Sequence, residues 1–387
     1  MQEKTNYKSS CSGEAARSKT KSSMKKFSLY SLLMLLSLLT ASNVYAYDVE
    51  VDGIYYNLDM NNYTASVTSG DNKYTGDVVI PSSITYNTVK FNVVMIEKYA
   101  FSACNGLTSV NISDGIEEIG SDAFQGCSEL LVATIPNTVK TVGSGAFYRC
   151  KKLEKADLPE GIELIGSATF RDCYQLAEIN IPTTVKRINS EAFRSCQSVK
   201  KLFIPKAVNY IETSAFEGLT LEELVVEDGD EEVTVEYWPF HSTSTQTIYM
   251  GRPLPLNSNF KKDETKTLIL GPNLNKWYDS YTGTGITKVV SKIADPSQLA
   301  PTFDNITYLN AELIVPKGTL ELYKADENWK KFINISEDDS ETGIDTPKTS
   351  VNGKNPQSFN LGGLRTTANS KGISIVRENG KTRKIVK

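Results

Sequence analysis

Five cysteines, Cys104, Cys127, Cys150, Cys173 and Cys196, stand at a constant interval of twenty-three residues. In a repeat protein that interval puts them in one column, where soft thiolates could hold a row of metal ions or close a chain of disulfides between adjacent coils. Zinc sites bring their cysteines two to four residues apart, and no pair here does so. Loss of Cys11 with an export signal leaves an odd number, so at least one thiol stays unpaired. The expectation is a ladder of small thiols that packs a core.

Other chemistry is thinly represented. His241 is the single histidine and would have to be the base for any Ser or Cys nucleophile, yet Trp238-Pro239-Phe240-His241-Ser242 carries no motif around it. Paired carboxylates of glycosidase type meet only in the fold, and no repeat breaks its pattern to place acids at a cleft. Glu227-Asp228-Gly229-Asp230-Glu231-Glu232 offers the oxygens that calcium takes but lacks the spacing of an EF-hand loop, and reads as a solvated loop. Gly283-x-Gly285 is too short to cradle phosphate, and no Walker or dinucleotide motif occurs. We therefore expect a protein that is not an enzyme and uses no cofactor and no metal.

The elements behind these residues follow the same beat. Phe101, Phe124, Phe147, Phe170, Phe193 and Phe216 are also twenty-three residues apart, a period that signals a solenoid whose coils bury their apolar faces on one another. Counted from each cysteine, Leu recurs at position three, small or branched apolar residues at six and eight, Pro usually at nine, and Val or Ile at twelve and fifteen; residues 127–147 show the whole pattern. Alternation at six and eight is the period of a half-buried strand, so residues 109–113 and their equivalents should stack, one short strand per coil. Proline then ends the strand, and Gly120, Gly143 and Gly166 are expected to turn the chain at positive φ. The hydroxyls of Ser121, Ser144, Ser167, Ser190 and Thr213 fit N-caps of one helical turn that carries Ala, Phe and Cys inward. One coil alone buries too little to offset the entropy of ordering it, so the coils must share burial by stacking.

The run Leu-x-x-Ile-x-Ile-Pro-x-x-Val-x-x-Ile-Gly-x-x-Ala-Phe-x-x-Cys resembles the BspA-type leucine-rich repeat of Bacteroidetes surface proteins and some mucosal parasites. The match covers residues 101–219 directly. Tyr55-Tyr56-Asn57-Leu58 to Gly76-Asp77-Val78-Val79-Ile80-Pro81 resembles the family's N-terminal capping coil with an insertion at residues 85–93, and Leu313-Ile314-Val315-Pro316-Lys317-Gly318 with Tyr323, Trp329 and Phe332 resembles its closing coil. Residues 47–337 thus read as one domain, a strand-rich α/β repeat solenoid that the resemblance implies is a right-handed leucine-rich-repeat superhelix of 23-residue coils. After Leu219 replaces the sixth cysteine, the phase slips so that Leu221, Leu224 and Val226 face inward and Phe240 keeps the aromatic slot. Further strands are expected at residues 247–250, 266–270 and 286–290.

Residues 1–46 read as an N-terminal extension and an export signal, with Met24-Lys-Lys as the start, an apolar core at residues 29–39 and cleavage after Ala46. That core is too short to span a bilayer, and no transmembrane segment is expected elsewhere. Residues 338–358 read as a flexible linker. In residues 359–387, Asn379-Gly380 between two apolar runs predicts a two-residue β-hairpin, in an end that resembles the C-terminal sorting modules of Bacteroidetes.

A formal charge of -4 points to no nucleic-acid or membrane-surface partner. What remains is surface. Outward strand positions read Asn111, Thr134, Asp157, Asn180 and Phe203 in one column, and Ser109, Val132, Lys155, Glu178 and Lys201 in the next. From these the sequence suggests a secreted or cell-surface monomer whose solenoid face takes an extracellular protein or glycan, with Phe203 as a candidate anchor. Tyr148, Arg149, Lys151, Arg171, Tyr174 and Arg194 form a second, basic and aromatic surface, read as a solvated convex face.

Overall fold

Period-two apolar residues separated by a proline give each coil a short strand, and twenty-three residues later the same pattern lays the next strand beside it. The computed structural model describes residues 47–256, 260–278 and 283–338, together with the backbone of residues 357–360, 373–378 and 381–386. The segment read as an export signal and most of the segment read as a linker lie outside the described residues. Residues 1–338 and 339–387 form two compact units.

The first unit opens with a cap. Strands β1 (Val49–Val51), β2 (Ile54–Asp59) and β3 (Thr64–Thr68) form an antiparallel meander. Strand β4 (Thr75–Ile80) begins the solenoid proper, and the insertion folds as the hairpin β5 (Ser83–Tyr86) and β6 (Val89–Ile96). Each regular coil then adds up to two strands. One column runs through β7 (Gly106–Ile112), β9 (Val132–Thr134), β11 (Lys155–Ala156) and β14 (Lys201–Ile204); the other runs through β8 (Glu118–Ile119), β10 (Thr141–Val142), β12 (Leu164–Ile165), β13 (Arg187–Ile188), β15 (Tyr210–Ile211) and β17 (Thr234–Val235). The first column continues as β16 (Thr220–Val226), β18 (Ser244–Met250), β19 (Thr267–Leu270), β20 (Lys288–Ser291), β21 (Glu312–Val315) and β22 (Asn334–Glu337). Every pairing from β7 onward in this unit is parallel; the first column divides into a sheet ending at β11 and a sheet starting at β14, to which Ile179 of the coil between them is joined by an isolated bridge with Leu202. Among the described residues, α-helix is confined to α1 (Asn305–Asn310), capped by Asp304, and α2 (Leu320–Ala325), beside three single-turn 3-10 helices.

Inside, the phenylalanines form one stack. Ring centroids from Phe101 through Phe216 to Phe240 lie 4.8 to 5.6 Å apart with planes within 16°, the offset geometry that aromatic rings prefer. Phe240 does keep the aromatic slot, and Leu221, Leu224 and Val226 are buried as the slipped phase requires. The expected strands of the irregular coils appear as β18, β19 and β20.

Two expectations fail at the turn that carries the phenylalanine. No helix forms there. Instead the residues two before and two after each Phe adopt left-handed backbone, as at Asp122 (φ 55°), Arg149 (60°), Ala168 (54°), Asp172 (60°) and Glu191 (58°). The alternation turns every second amide along the solenoid axis: Asp122, Phe124 and Gly126 donate to the carbonyls of Ser144, Ala146 and Tyr148, while Ala123, Gln125 and Cys127 close short turns within their own coil. A helical turn would keep its amides to itself and forfeit this third ladder. The serine hydroxyls are therefore not helix caps; Ser190 Oγ, for one, donates to Glu212. Nor do Gly120, Gly143 and Gly166 supply positive φ. They permit close stacking, since a Cβ on Gly143 would lie 2.4 Å from the Ser121 amide nitrogen.

The second unit contains a three-stranded antiparallel sheet, β23 (Gln357–Asn360), β24 (Ile373–Glu378) and β25 (Lys381–Val386), in that order. Glu378 pairs with Lys381, so Asn379 and Gly380 make the connection. β23 starts inside the stretch read as linker.

Candidate binding surface

Along β7, β9, β11, the Ile179 bridge and β14, inward residues alternate with outward ones, and the parallel register fixes the outward ones in columns. Ser109 pairs with Val132, which pairs with Lys155, and Asn111 pairs with Thr134. The positions on β7, β9 and β11 thus share one face, and Glu178, Asn180, Lys201 and Phe203 flank the parallel bridge from Ile179 to Leu202. Asn111, Thr134, Asp157, Glu178, Asn180 and Lys201 are exposed, and Lys155 is partly covered. Contacts between and within coils order part of the column: Asn180 Nδ2 donates to Asp157 Oδ1 of the preceding coil at 2.8 Å, Lys155 Nζ sits 3.3 Å from Asp157 of its own coil, and Lys201 lies 3.2 Å from Glu223 of the next. At the first strand, the hydroxyls of Ser109 and Thr108 donate to Asp77 and hold its carboxyl below the usual range.

From Phe203 the face changes character. The same outward column continues as Val225, Tyr249, Ile269, Val290 and Ile314. Val225, Tyr249, Ile269 and Val290 are less than a tenth exposed, and half-buried Phe203 and Ile314 pack on this stripe from its two ends. Tyr249 donates its hydroxyl to Asp228, and burial followed by that bond raises its pKa. Phe203 is thus part of an outer apolar cluster, whereas the polar coils before it carry the open face. Sequence reading missed the stripe because it treated the later coils as irregular; the signal was present in Val225, Ile269, Val290 and Ile314 once the phase slip is allowed for.

The remaining candidates have internal partners. The five thiols are free and buried. Cys127, Cys150, Cys173 and Cys196 donate through Sγ to the carbonyls of Phe101, Phe124, Phe147 and Phe170 at 3.0 to 3.2 Å, and in the coil of Phe240 the Thr243 hydroxyl bonds the Phe216 carbonyl in the same way. Burial raises the pKa of Cys173 and Cys196, which suppresses the thiolate that metal binding or nucleophilic attack requires. Among the described residues no cluster of three His, Cys, Asp or Glu side chains could hold a metal.

The acidic run is largely used by the fold. Glu227 accepts the Lys206 amide at 2.7 Å, Asp230 accepts Asn273, and Glu232 accepts Lys276 and Tyr278. Below it lies Arg252, 2% exposed, whose Nη2 donates to the carbonyls of Pro205 and Val208. Nothing in the local sequence marked that guanidinium as buried.

The basic and aromatic surface is a charge network. Arg149 and Arg171 both stand over the Tyr148 ring, Arg171 and Arg194 share Glu191, and Arg194 also meets Glu217 at 3.0 Å. His241 Nδ1 lies 3.7 Å from the same Glu217. Next to it, Tyr237 and Trp238 are 78% and 51% exposed, Trp238 at a left-handed φ of 56° and 6.0 Å from the His241 ring.

Residues 94–222 and 124–247 match the model of the BspA type leucine rich repeat region, in six copies. Among solved structures, the chain is similar to a leucine rich repeat protein of T. pallidum (26% identity, TM-score 0.44, covering 50% of this chain and 88% of that one). It is also similar to a leucine-rich repeat protein from Bacteroides ovatus (21%, 0.45, covering 72% and 81%) and to a leucine rich cell surface protein from Faecalibacterium prausnitzii (17%, 0.34, covering 78% and 97%). No curated protein matches. Residues 94–247 match a BspA type leucine rich repeat region, and they fold as part of a strand-rich parallel solenoid.

Proposed function

We propose that this chain is an exported, non-enzymatic recognition protein, an adhesin-like module that binds an extracellular macromolecule through the outer face of its solenoid sheet. The observation that carries the reading is the open polar half of that face. Asn111 and Thr134 stand exposed on strands in parallel register, and exposed Glu178 and Asn180 flank the parallel bridge at Ile179; a rigid ladder with a repeat of ~4.8 Å presents such side chains with little entropy left to lose on binding. Leucine-rich repeat proteins are in general binding scaffolds, which fits this use. Surface display is consistent with the export signal read at residues 24–46, and the second unit is assigned a sorting role on its resemblance alone.

Arrays of extracellular-matrix proteins and polysaccharides test the proposal. Saturable binding that Thr134→Lys and Glu178→Lys abolish, with circular dichroism unchanged, is the expected result; no saturable binding on either array overturns it. Proteinase accessibility on intact cells of the native organism tests the location. A fusion of residues 336–387 to a secreted reporter tests sorting, and unchanged fractionation sinks that role.

A second reading, glycan capture, is favoured by the adjacent exposed rings of Tyr237 and Trp238 beside His241. Such plates stack on sugar C–H faces. Loss of polysaccharide binding in Trp238→Ala, with the Thr134 and Glu178 variants unaffected, would select it over the first.

A further inference from the structure

The solenoid has an open edge, and the edge has a cleft beside it. Among the described residues, β4 is the terminal strand of its sheet, paired to β7 on one side only. Ser113 donates its amide to the Ile80 carbonyl, so Ile80, and Val78 two residues earlier, turn their peptide groups to β7. By the alternation of a strand, Asp77 and Val79 turn theirs to the open side. The cap does not fill that side, because β1 and β2 belong to the other sheet. Its Asp52-Gly53 turn stands across a cleft of about 310 Å³ whose floor and walls include Tyr55, Tyr74, Asp77 and Val79. Val79 is 59% exposed.

The charges along this cleft have a sign. Asp52 and Asp77 line it, while Lys73, its cation, donates to the Ser102 carbonyl. A bulge between Gly76 and Asp77 interrupts the strand. Bulges and charges of this kind keep flat apolar edges from pairing, and here the same carboxylates would favour a cationic strand.

We propose that β4 is a second binding site, which takes an extended polypeptide segment with alternating basic and apolar residues by adding it as a strand. Main-chain bonds to Asp77 and Val79 provide the affinity, Asp52 and Asp77 select the basic residues, and the exposed Val79 side chain meets an apolar one. The site adjoins the polar face, since Val79 pairs with Asn111 and Asp77 with Ser109, but its main-chain bonding at the open edge succeeds or fails independently of that proposal.

The probe is a fluorescein-labelled ten-residue peptide of alternating lysine and valine, blocked at both ends, titrated by anisotropy against residues 47–387. Saturable binding is expected. It should weaken about tenfold in Val79→Pro, which removes one outward donor at an edge that tolerates proline. It should also weaken in Asp52→Asn, which keeps the left-handed φ of 50°. A peptide with alternate backbone amides methylated should lose binding. Absence of saturable binding by the native chain overturns the proposal. So does binding that survives both Val79→Pro and methylation, which marks simple charge attraction. A concentration-dependent dimer in sedimentation velocity that Val79→Pro disperses would make the occupant a second copy, and would overturn it too.

Discussion

Raising the pH should unfold this solenoid from its thiol ladder outward. Cys127, Cys150, Cys173 and Cys196 are buried, each donates its proton to a phenylalanine carbonyl of a neighbouring coil, and their pKa values are raised. In the unfolded chain a thiol titrates near ~8.5. Below that pH both states hold the proton and the ladder adds no pH dependence. Above it the unfolded chain releases protons that the native one retains, so stability falls as pH rises towards the native values. One pH unit above the unfolded value the loss is about 1.4 kcal/mol per thiol, and for four thiols about 5 to 6 kcal/mol. That is comparable to the whole stability of many domains, ~5–15 kcal/mol. The buried phenols of Tyr56 and Tyr74, also raised, act in the same direction at higher pH. Urea unfolding followed by circular dichroism at pH 7.5, 8.5 and 9.5 should show the midpoint constant at first and then falling steeply. A variant with all four cysteines replaced by alanine starts lower, because cavities are left, and should lose most of the slope. An unchanged midpoint at pH 9.5, or the same slope in the alanine variant, refutes the reasoning.

Phe147→Ala removes a ring packed between Phe124 and Phe170 and should cost about 3–5 kcal/mol; half-buried Phe203→Ala should cost clearly less, and urea midpoints compare the two. Gly143→Ala, whose Cβ would lie 2.4 Å from a backbone nitrogen of the adjoining coil, should destabilise the fold by several times ~1 kcal/mol, whereas Gly161→Ala, with no atom within 4 Å at a φ of 101°, should cost only about 1 kcal/mol of backbone strain. Arg252→Met leaves the Pro205 and Val208 carbonyls without a donor and should lower stability by about 1–3 kcal/mol. The loss is limited because burial already disfavours the guanidinium charge and lowers its pKa; a thermal melt checks the direction.

Inward positions were legible because they are set by one rule, repeated. Phe, Cys, Leu and the strand pairs of each coil fill a slot defined by the same neighbours, so period alone places them. The turn was misread for the opposite reason. Ser-x-Ala-Phe resembles a helix start in isolation, and what decides against it is the amide ladder to the neighbouring coil, a contact twenty-two residues away in the chain. The same limit applies to Gly143, whose role is visible only when the coil beneath it is in place. Arg252 shows the boundary most plainly: a lone arginine reads as surface, and only the carbonyls of Pro205 and Val208, more than forty residues earlier, explain its burial.

The outer face follows a different logic from the core. Its side chains are not needed to hold the coils together, so their chemistry is free to differ, and it differs abruptly at Phe203. Before it, Asn111, Thr134, Asp157 and Asn180 keep the column polar and open; after it, Val225, Tyr249, Ile269 and Val290 close it. A ligand that needed a continuous face would meet two incompatible surfaces. A ligand matched to one half would span only the coils between β4 and β14, a ladder on the order of 25 Å, and the open edge of β4 lies at the far end of that same half. The binding chemistry of the chain is therefore expected in its N-terminal coils, where exposure, polarity and the free strand edge coincide, and substitutions on the outer face beyond Phe203 should change stability before they change recognition.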